Sequence, residues 1–185
     1  EVSQAETTFD RYADYVIEQV APFSTLPPKE WSQFDLLLPH VHEVGNALAA
    51  GWEIRKANPD EALLKRCGEF AYNVEKYVLY RPQMIDTPNG RERFGVRWLE
   101  MGLAVSRKQS AHELEALFCG ELGFVWNGLG ETRKALEYYE QALSLNRTVG
   151  NRCIESMMLN NIAAAWITLG ELRKALEYLE QALPL

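Results

Sequence analysis

Residues 129–145 read LGETRKALEYYEQALSL, and residues 169–185, 40 positions further along, read LGELRKALEYLEQALPL. The two segments differ at three of their 17 positions, so the other 14 are identical. Self-similarity at a fixed period of this length is typical of stacked helical repeats, in which each unit buries its apolar face against its neighbours. The repeat therefore predicts a binding surface rather than a catalytic pocket.

The composition is that of a globular protein with an acidic surface. Hydrophobic residues make up 47% and charged residues 24% of the 185 positions, which are ordinary values for a folded domain. The formal net charge of -7 argues against nucleic-acid binding, because basic patches supply most of the affinity for phosphates. The sequence has no run of about 18 apolar residues, so we expect no membrane-spanning helix.

The cysteines and the chain ends bear on cellular location and context. Cys67, Cys119 and Cys153 are odd in number and far apart, which favours buried free thiols in a reducing compartment. We therefore expect a cytoplasmic protein. The chain begins at Glu1 without a methionine and stops directly after a helix-forming repeat, so we expect both ends to be cut from a longer protein.

The first hundred or so residues are expected to form helices separated by short breaks. Pro39 lies inside the second helical segment, so either that helix is kinked or two helices meet there. Asn58-Pro59 predicts the start of the third helix, with the asparagine as its cap. Helices are expected over about 7–20, 30–55, 58–80 and 91–107, with a loop over 83–90.

Four further helices are expected to form two antiparallel hairpins. Ser110 and Glu113 have the spacing of a capping box, which predicts the start of a helix that runs to about Leu129. Gly130 and Gly170 then supply the short turn inside each hairpin. The expected fold is all-α.

The two hairpins carry small and large residues in the order of a known family. Leu122-Gly123, Trp126, Ala135, Tyr139 and Ala142 resemble the tetratricopeptide repeat, and Ile162-Ala163, Trp166, Ala175, Leu179 and Ala182 follow the same order. The usual repeat has about 34 residues, and the extra length here lies in the linker Asn146–Glu155. The resemblance implies a right-handed α-α superhelix of antiparallel hairpins.

The N-terminal half has a looser resemblance to a second group of proteins. The residues that carry it are Phe9, Tyr12 and Tyr15, then Trp31, Asn46-Ala47-Leu48, and Arg97-Trp98-Leu99-Glu100. This order is similar to the helical region that follows the nucleotide-binding and winged-helix modules of bacterial STAND (NB-ARC-type) signal-transduction ATPases. The resemblance implies a helical linker that leads into a tetratricopeptide superhelix, which senses a ligand or a partner.

These patterns predict four segments. A helical linker or cap covers residues 1–58, and a degenerate repeat-like unit covers residues 59–110. Two tetratricopeptide units follow over 111–150 and 151–185, as part of an array that we expect to be truncated.

The first helix of each unit is the expected binding surface, because in the family resembled these helices line the concave groove. The implied groove residues are Leu117, Gly120, Glu121, Phe124, Asn127, Met157, Asn160, Asn161, Ala164 and Thr168. Amide groups such as those of Asn160 and Asn161 can bond the backbone of an extended peptide, or they can cap or bridge neighbouring helices. Lysine and arginine pairs, which co-chaperone members use to hold a C-terminal carboxylate, are missing at these positions.

The sequence offers no constellation for catalysis, a metal or a cofactor. His40 and His42 lie two positions apart, so on a helix their side chains diverge by about 200°, and His112 has no evident partner. Trp126 and Trp166 recur at the repeat period, which favours packing between helices over an aromatic ligand site. No GxxxxGK[ST] loop is present to hold phosphates.

Three classes of function follow, in order of preference. The first is a non-catalytic sensor segment of a bacterial signal-transduction ATPase, which binds a protein or peptide in its groove. The second is a free-standing scaffold or adaptor, and the third is an enzyme. Self-association through the exposed face of the last repeat is also expected, as an artefact of the cut end, which uncovers the apolar face of the terminal helix.

Overall fold

The computed structural model describes residues 4–27, 30–80 and 94–184. Within these residues the chain forms eight α-helices, one short 3-10 helix and no strand, which confirms the predicted all-α fold. The chain divides into two compact units, Glu1–Val105 and Ser106–Leu185. The predicted loop over 83–90 lies outside the described residues.

The helices follow one another through short connections. The first unit contains α1 (Gln4–Val20), the 3-10 helix (Ala21–Ser24), α2 (Ser32–Arg55), α3 (Glu61–Tyr80) and most of α4 (Phe94–Lys108). The second unit contains α5 (His112–Gly128), α6 (Thr132–Val149), α7 (Arg152–Thr168) and α8 (Leu172–Ala182).

Aromatic side chains form the centre of the first unit. The rings of Phe34 and Tyr77 stack with their centroids 3.9 Å apart, and Phe70 meets Trp98 edge-on at 5.3 Å. Trp31 and Trp98 are both fully buried. Because aromatic side chains bury large apolar areas, these contacts join α2, α3 and α4 into one core.

Pro39 lies within a single helix, which decides between the two alternatives that the sequence left open. The α2 helix runs through it without a break from Ser32 to Arg55. Val41 and Leu48, which follow the proline, are buried like Phe34 before it. The same face of the helix is therefore buried on both sides of Pro39, and this packing outweighs the lost backbone hydrogen bond.

The cap of α3 differs from the predicted one. The backbone N–H of Leu63 donates to Asp60 Oδ1 at 2.7 Å, and the helix begins at Glu61. Asp60 thus satisfies a free N–H group at the helix start. The prediction that Asn58 caps this helix was wrong by two residues.

The predicted capping box at Ser110 was also wrong. The α5 helix begins at His112, and the residue before it, Ala111, makes no side-chain cap. Ser110 has a φ of 53°, and the N–H of Ala111 donates to Ser106 O at 2.9 Å. Ser110 therefore ends α4 in a left-handed turn, a position that Gly150 occupies with a φ of 75° in the next repeat.

Each hairpin of the second unit turns at a glycine. Gly130 and Gly170 have φ values of 81° and 80°, a left-handed conformation that other residues rarely adopt. After each glycine, a backbone N–H donates back to a tryptophan carbonyl, from Glu131 to Trp126 and from Glu171 to Trp166, both at 2.9 Å. The two hairpins, α5–α6 and α7–α8, therefore close in the same way, and α7 packs against α6.

Candidate partner-binding surface

The first helices of the two hairpins lie side by side in the second unit. A Cβ atom built on Gly120 of α5 would lie 3.5 Å from Met158 Sδ of α7. This is ordinary van der Waals contact, so α5 and α7 are neighbours as a shared surface requires.

Five of the ten predicted groove residues are exposed on these helices. Phe124 on α5 is 55% exposed and Met157 on α7 is 51% exposed. Asn160, Ala164 and Thr168 are exposed as well. Large apolar side chains at this exposure are candidates for contact with a partner when they lie on neighbouring elements.

The other five predicted residues are half-buried. They are Leu117, Gly120, Glu121, Asn127 and Asn161. Glu121 lies near the hydroxyl of Tyr139, whose pKa is raised to about 12 by burial and, to a smaller extent, by the Glu121 charge. The amide oxygen of Asn127 is inaccessible to solvent and accepts no hydrogen bond from the residues that the structure describes. These side chains thus face partly into the helix packing rather than outward.

One exposed apolar residue on this surface was missed. Ile167, on α7, is 52% exposed and lies 40 positions after Asn127. Applying the repeat period to Asn127 would have identified it. Thr168 was predicted at this position instead, but its Oγ1 donates a hydrogen bond to Ala164 O of its own helix at 3.0 Å.

The surface carries almost no positive charge. The α5 sequence contains no lysine or arginine, and α7 contains only Arg152, in its first turn. Arg152 donates to the backbone oxygen of Pro184 at 3.2 Å. A carboxylate clamp made of basic side chains is therefore not formed by these two helices.

Within the second unit, a polar contact recurs at the repeat period and holds the first helix of each hairpin in place. Arg147 donates through Nε to Glu155 Oε1 at 2.8 Å and through Nη2 to Gln181 Oε1 at 3.0 Å. Forty positions earlier, Arg107 bonds Glu115 at 2.9 Å and Gln141 at 2.7 Å through the same atoms. We call each set the Arg–Glu–Gln clamp. It fixes the first turn of α5 or α7 against its neighbours.

The Arg–Glu–Gln clamp was not predicted from the sequence, although a signal for it is present there. Arginine, glutamate and glutamine each recur at the repeat period, as Arg107/Arg147, Glu115/Glu155 and Gln141/Gln181. The partners in each clamp lie 8 and 34 positions from the arginine. Whether these three side chains come into contact depends on how the helices pack, which the sequence does not show.

Replacing Arg147 by alanine is expected to lower the free energy of unfolding by about 1 kcal/mol. The two charge-assisted hydrogen bonds are lost, but Arg147 is half-exposed, so solvent screening keeps the effect small. Urea denaturation followed by circular dichroism would measure it. Arg133→Ala is the matched control, because Arg133 is exposed on α6 and has no ion pair among the described residues. An equal loss of unfolding free energy in both variants would contradict the proposal that the clamp stabilises the fold.

The tryptophans that recur at the repeat period are covered by lysines. Lys134 Nζ lies 3.4 Å from the ring centroid of Trp126, and Lys174 Nζ lies 4.3 Å from that of Trp166. A cation over an indole face is an attractive contact. Both rings are half-buried, so their packing inside the hairpins agrees with the interpretation drawn from the sequence.

The histidines and cysteines do not converge on a metal or a nucleophile in the part of the chain that is described. His40 Nδ1 lies 2.7 Å from the hydroxyl of Tyr12, while His42 packs edge-on against Trp98. Among the described residues, no three side chains of histidine, cysteine, aspartate or glutamate are grouped to hold a metal ion. Cys153 is exposed, so the expectation that all three thiols are buried was wrong for this residue.

Burial perturbs the other two thiols. It raises the pKa of Cys67 to about 12 and that of Cys119 to about 11. A thiol that stays protonated is a poor nucleophile. These cysteines therefore behave as small apolar residues of the core.

None of the described helices is both long and apolar enough to span a membrane.

Comparison with known proteins gives one match, which lies in the second unit. No curated protein matches the chain. Residues 113–185, which form the two hairpins, match the family model described as tetratricopeptide repeat.

Proposed function

We propose that this chain is a non-catalytic segment that binds a protein or peptide on the surface formed by α5 and α7. Tetratricopeptide repeats serve protein–protein interaction and are typically not catalytic. The observation that supports this surface most directly is the exposure of Phe124 and Met157 on two neighbouring first helices. Apolar side chains held on rigid helices lose little entropy on binding, so they suit the role of anchors.

The polar residues beside these anchors suggest an extended or helical peptide as the ligand. Asn160 is exposed, so its amide has room to bond a ligand backbone. Glu121 is the one charged residue among the predicted groove positions. We therefore expect partners with apolar anchors and few acidic residues, because a second negative charge near Glu121 would be repelled.

The wider role that we propose is that of a sensor in a cytoplasmic bacterial signal-transduction ATPase. Binding of a partner would then favour one of two states of the parent protein, in proportion to its difference in affinity for the two. The support for this role is the resemblance of the N-terminal half to the linker region of such ATPases. A free-standing adaptor would use the same surface.

Phe124→Ala is expected to weaken peptide binding at least about tenfold, the range expected for a central apolar anchor. Ligands would be selected with the native chain from a library of random peptides displayed on phage. The affinity of each selected peptide for the native chain and the variant would then be measured by fluorescence anisotropy. Met157→Ala should cause a loss of similar size.

The matched control for this experiment is Leu36→Ala. Leu36 is an exposed apolar residue of the first unit, so its removal should leave the affinity unchanged. Selection of no peptide by the native chain would count against the proposed surface. Equal losses of peptide affinity in Phe124→Ala and Leu36→Ala would count against the proposed surface as well.

The ATPase context has a separate test. The reading frame that encodes the natural protein would be sequenced upstream of the codon for Glu1. A phosphate-binding loop of the GxxxxGK[ST] type in that frame would support the sensor role. A frame without one would favour the adaptor and leave the peptide-binding result unaffected.

A further inference from the structure

A cavity of about 460 Å³ lies among α1, α2 and α3 of the first unit. Its apolar lining includes Phe9, Leu48 and Leu63, and both leucines are only 4% exposed. Four charged side chains also line it, namely Asp10, Arg55, Asp60 and Arg66. We call this space the α1–α3 cavity. Its volume lies within the range of small-molecule sites, which combine an apolar lining with a few polar groups.

The guanidinium group of Arg66 is fully engaged within the chain. Its Nε and Nη2 donate to the two carboxylate oxygens of Asp14 at 2.7 and 3.1 Å, and its Nη1 lies 3.0 Å from Asp10 Oδ1. The hydrogen bonds from Arg66 lower the pKa of Asp14, so this pair stays ionised near neutral pH. Arg66 therefore holds α1 against α3, and each of its nitrogens already has a carboxylate partner.

Arg55 keeps most of its hydrogen-bonding capacity. Among the residues that the structure describes, its one polar contact joins Nη1 to Asp60 Oδ2 at 3.4 Å, which is long for a charge-assisted bond. The other oxygen of Asp60 accepts the N–H of Leu63 at 2.7 Å. Arg55 Nη2 lies 3.4 Å from where a Cβ atom on Gly51 would stand, and Gly51 lines the α1–α3 cavity. The edge formed by Nε and Nη2 of Arg55 therefore borders the cavity without a partner.

The second unit shows which partners this arginine lacks. Arg55 and Arg147 both lie in the last turn of their helices. In the Arg–Glu–Gln clamp, Nε and Nη2 of Arg147 bond Glu155, eight positions later, and Gln181. The residue eight positions after Arg55 is Leu63, whose side chain offers no acceptor. The edge of the guanidinium group that the clamp uses is thus left free at Arg55.

We propose that the α1–α3 cavity binds a small carboxylic acid with an apolar body. The carboxylate of this ligand accepts hydrogen bonds from Nε and Nη2 of Arg55, and its body lies against Phe9, Leu48 and Leu63. The edge of a guanidinium group matches a carboxylate in geometry, so both bonds form together. This site lies in the first unit and does not rest on the peptide-binding surface proposed for α5 and α7.

The neighbouring charges select the head group of the ligand. Arg66 holds two carboxylates at once, which shows that the contact of Arg55 with Asp60 does not prevent a second one. An ammonium group would need a carboxylate with free oxygens, but both oxygens of Asp60 are used and Asp10 already pairs with Arg66. A head group with two negative charges would be repelled by Asp10 and Asp60. A single carboxylate therefore fits this site best.

Titration of the full chain with octanoate, followed by ligand-observed NMR, tests the proposal. Octanoate should bind saturably, and hexanoate should bind roughly tenfold more weakly because it buries two fewer CH₂ groups. Octylammonium, which carries the opposite charge on the same body, should bind at least about tenfold more weakly than octanoate. Octanoate binding that does not saturate below about 10 mM, beyond the millimolar end of the affinity scale, would overturn the proposal. Equal binding of octylammonium would overturn it as well.

Two variants test the location of the site, and each has a matched control. Arg55→Ala should raise the octanoate Kd about tenfold, whereas Arg133→Ala, at an exposed arginine of α6, should leave it unchanged. Gly51→Leu should abolish binding, because the leucine side chain enters the cavity while its Cβ makes only ordinary contacts at 3.4 and 4.0 Å. Gly128→Leu is its control, since a Cβ atom there has no neighbour within 4 Å. Far-UV circular dichroism would show that all variants are folded.

Two results with these variants would overturn the proposed site. Octanoate binding that survives both Arg55→Ala and Gly51→Leu would show that another surface is responsible. Binding that is lost in Gly51→Leu but unchanged in Arg55→Ala would show that the cavity holds the apolar body without recognising the carboxylate. The expected result is weakened or lost binding in Arg55→Ala and Gly51→Leu, with native affinity in both controls.

Discussion

Between pH 5 and pH 8, a Glu75→Gln variant is expected to gain about 2–3 kcal/mol of unfolding free energy relative to the native chain. Glu75 lies on α3 and is 5% exposed, and burial raises the pKa of its carboxyl group to about 7. One of its oxygens, Oε2, accepts no hydrogen bond in the described structure. A buried carboxylate without such a bond is costly.

The sign of this pH dependence follows from which state, folded or unfolded, binds the proton more tightly. The carboxyl pKa is about 7 in the folded chain and 4.5 in the reference state, so the folded chain binds the proton more tightly. The native chain therefore loses stability as the pH rises from about 4.5 to about 7, and the loss is complete above that range. Glutamine does not titrate and is spared this loss.

Urea denaturation of both chains at pH 5 and pH 8 would measure the difference. Comparing the two chains cancels the contributions of all other ionisable groups. Glu69→Gln is the matched control on the same helix, because it makes the same substitution at a carboxyl group that is half-exposed beside Lys65. A Glu75→Gln difference that is independent of pH would contradict the prediction.

Replacing Gly123 by alanine is expected to lower the free energy of unfolding by about 2–3 kcal/mol. A Cβ atom at this position would lie 2.5 Å from Cδ1 and 2.6 Å from Cε1 of Tyr139. The Tyr139 side chain is itself 2% exposed, so its ring is enclosed by neighbouring groups and moves only by displacing them. Overpacking of this kind forces side chains or helices apart, and the higher helix propensity of alanine recovers about 1 kcal/mol at most.

The next repeat suggests a second substitution that should restore part of the lost stability. There the glycine is Ala163 and the tyrosine is Leu179, so the repeat accommodates the larger residue opposite a smaller one. A Gly123→Ala/Tyr139→Leu variant should therefore be more stable than the sum of its two single variants predicts. A double-mutant cycle from urea denaturation would measure this coupling.

Gly120→Ala is the control within the same helix. Its Cβ would lie 3.5 Å from Met158 Sδ, an ordinary contact, so alanine should be neutral or slightly stabilising. If Gly123→Ala and Gly120→Ala cost the same, close approach to Tyr139 is not the reason for the glycine. Additive single effects in the double-mutant cycle would lead to the same conclusion.

The candidate site illustrates what the repeat period could predict. The exposure of Phe124 and Met157 was expected from their position on first helices, and Ile167 could have been found from Asn127 by the same period. The half-burial of Leu117 and Glu121 could not be read from the sequence. Whether the candidate residues bind a partner stays a prediction.

The sequence by itself determined the all-α fold and the two hairpins, because these depend on local signals. Helical periodicity, the turn glycines Gly130 and Gly170, and the 40-residue repeat act within or between adjacent elements. Where local signals competed, the prediction of a helix start was wrong, as at Asn58 and Ser110.

Only the tertiary structure decided which distant side chains meet. Packing brings Arg147 to Gln181, keeps α2 continuous through Pro39, and encloses the carboxyl group of Glu75. The physical reason is that burial and polar contact depend on the neighbours of a helix, whereas helix formation depends largely on its own residues.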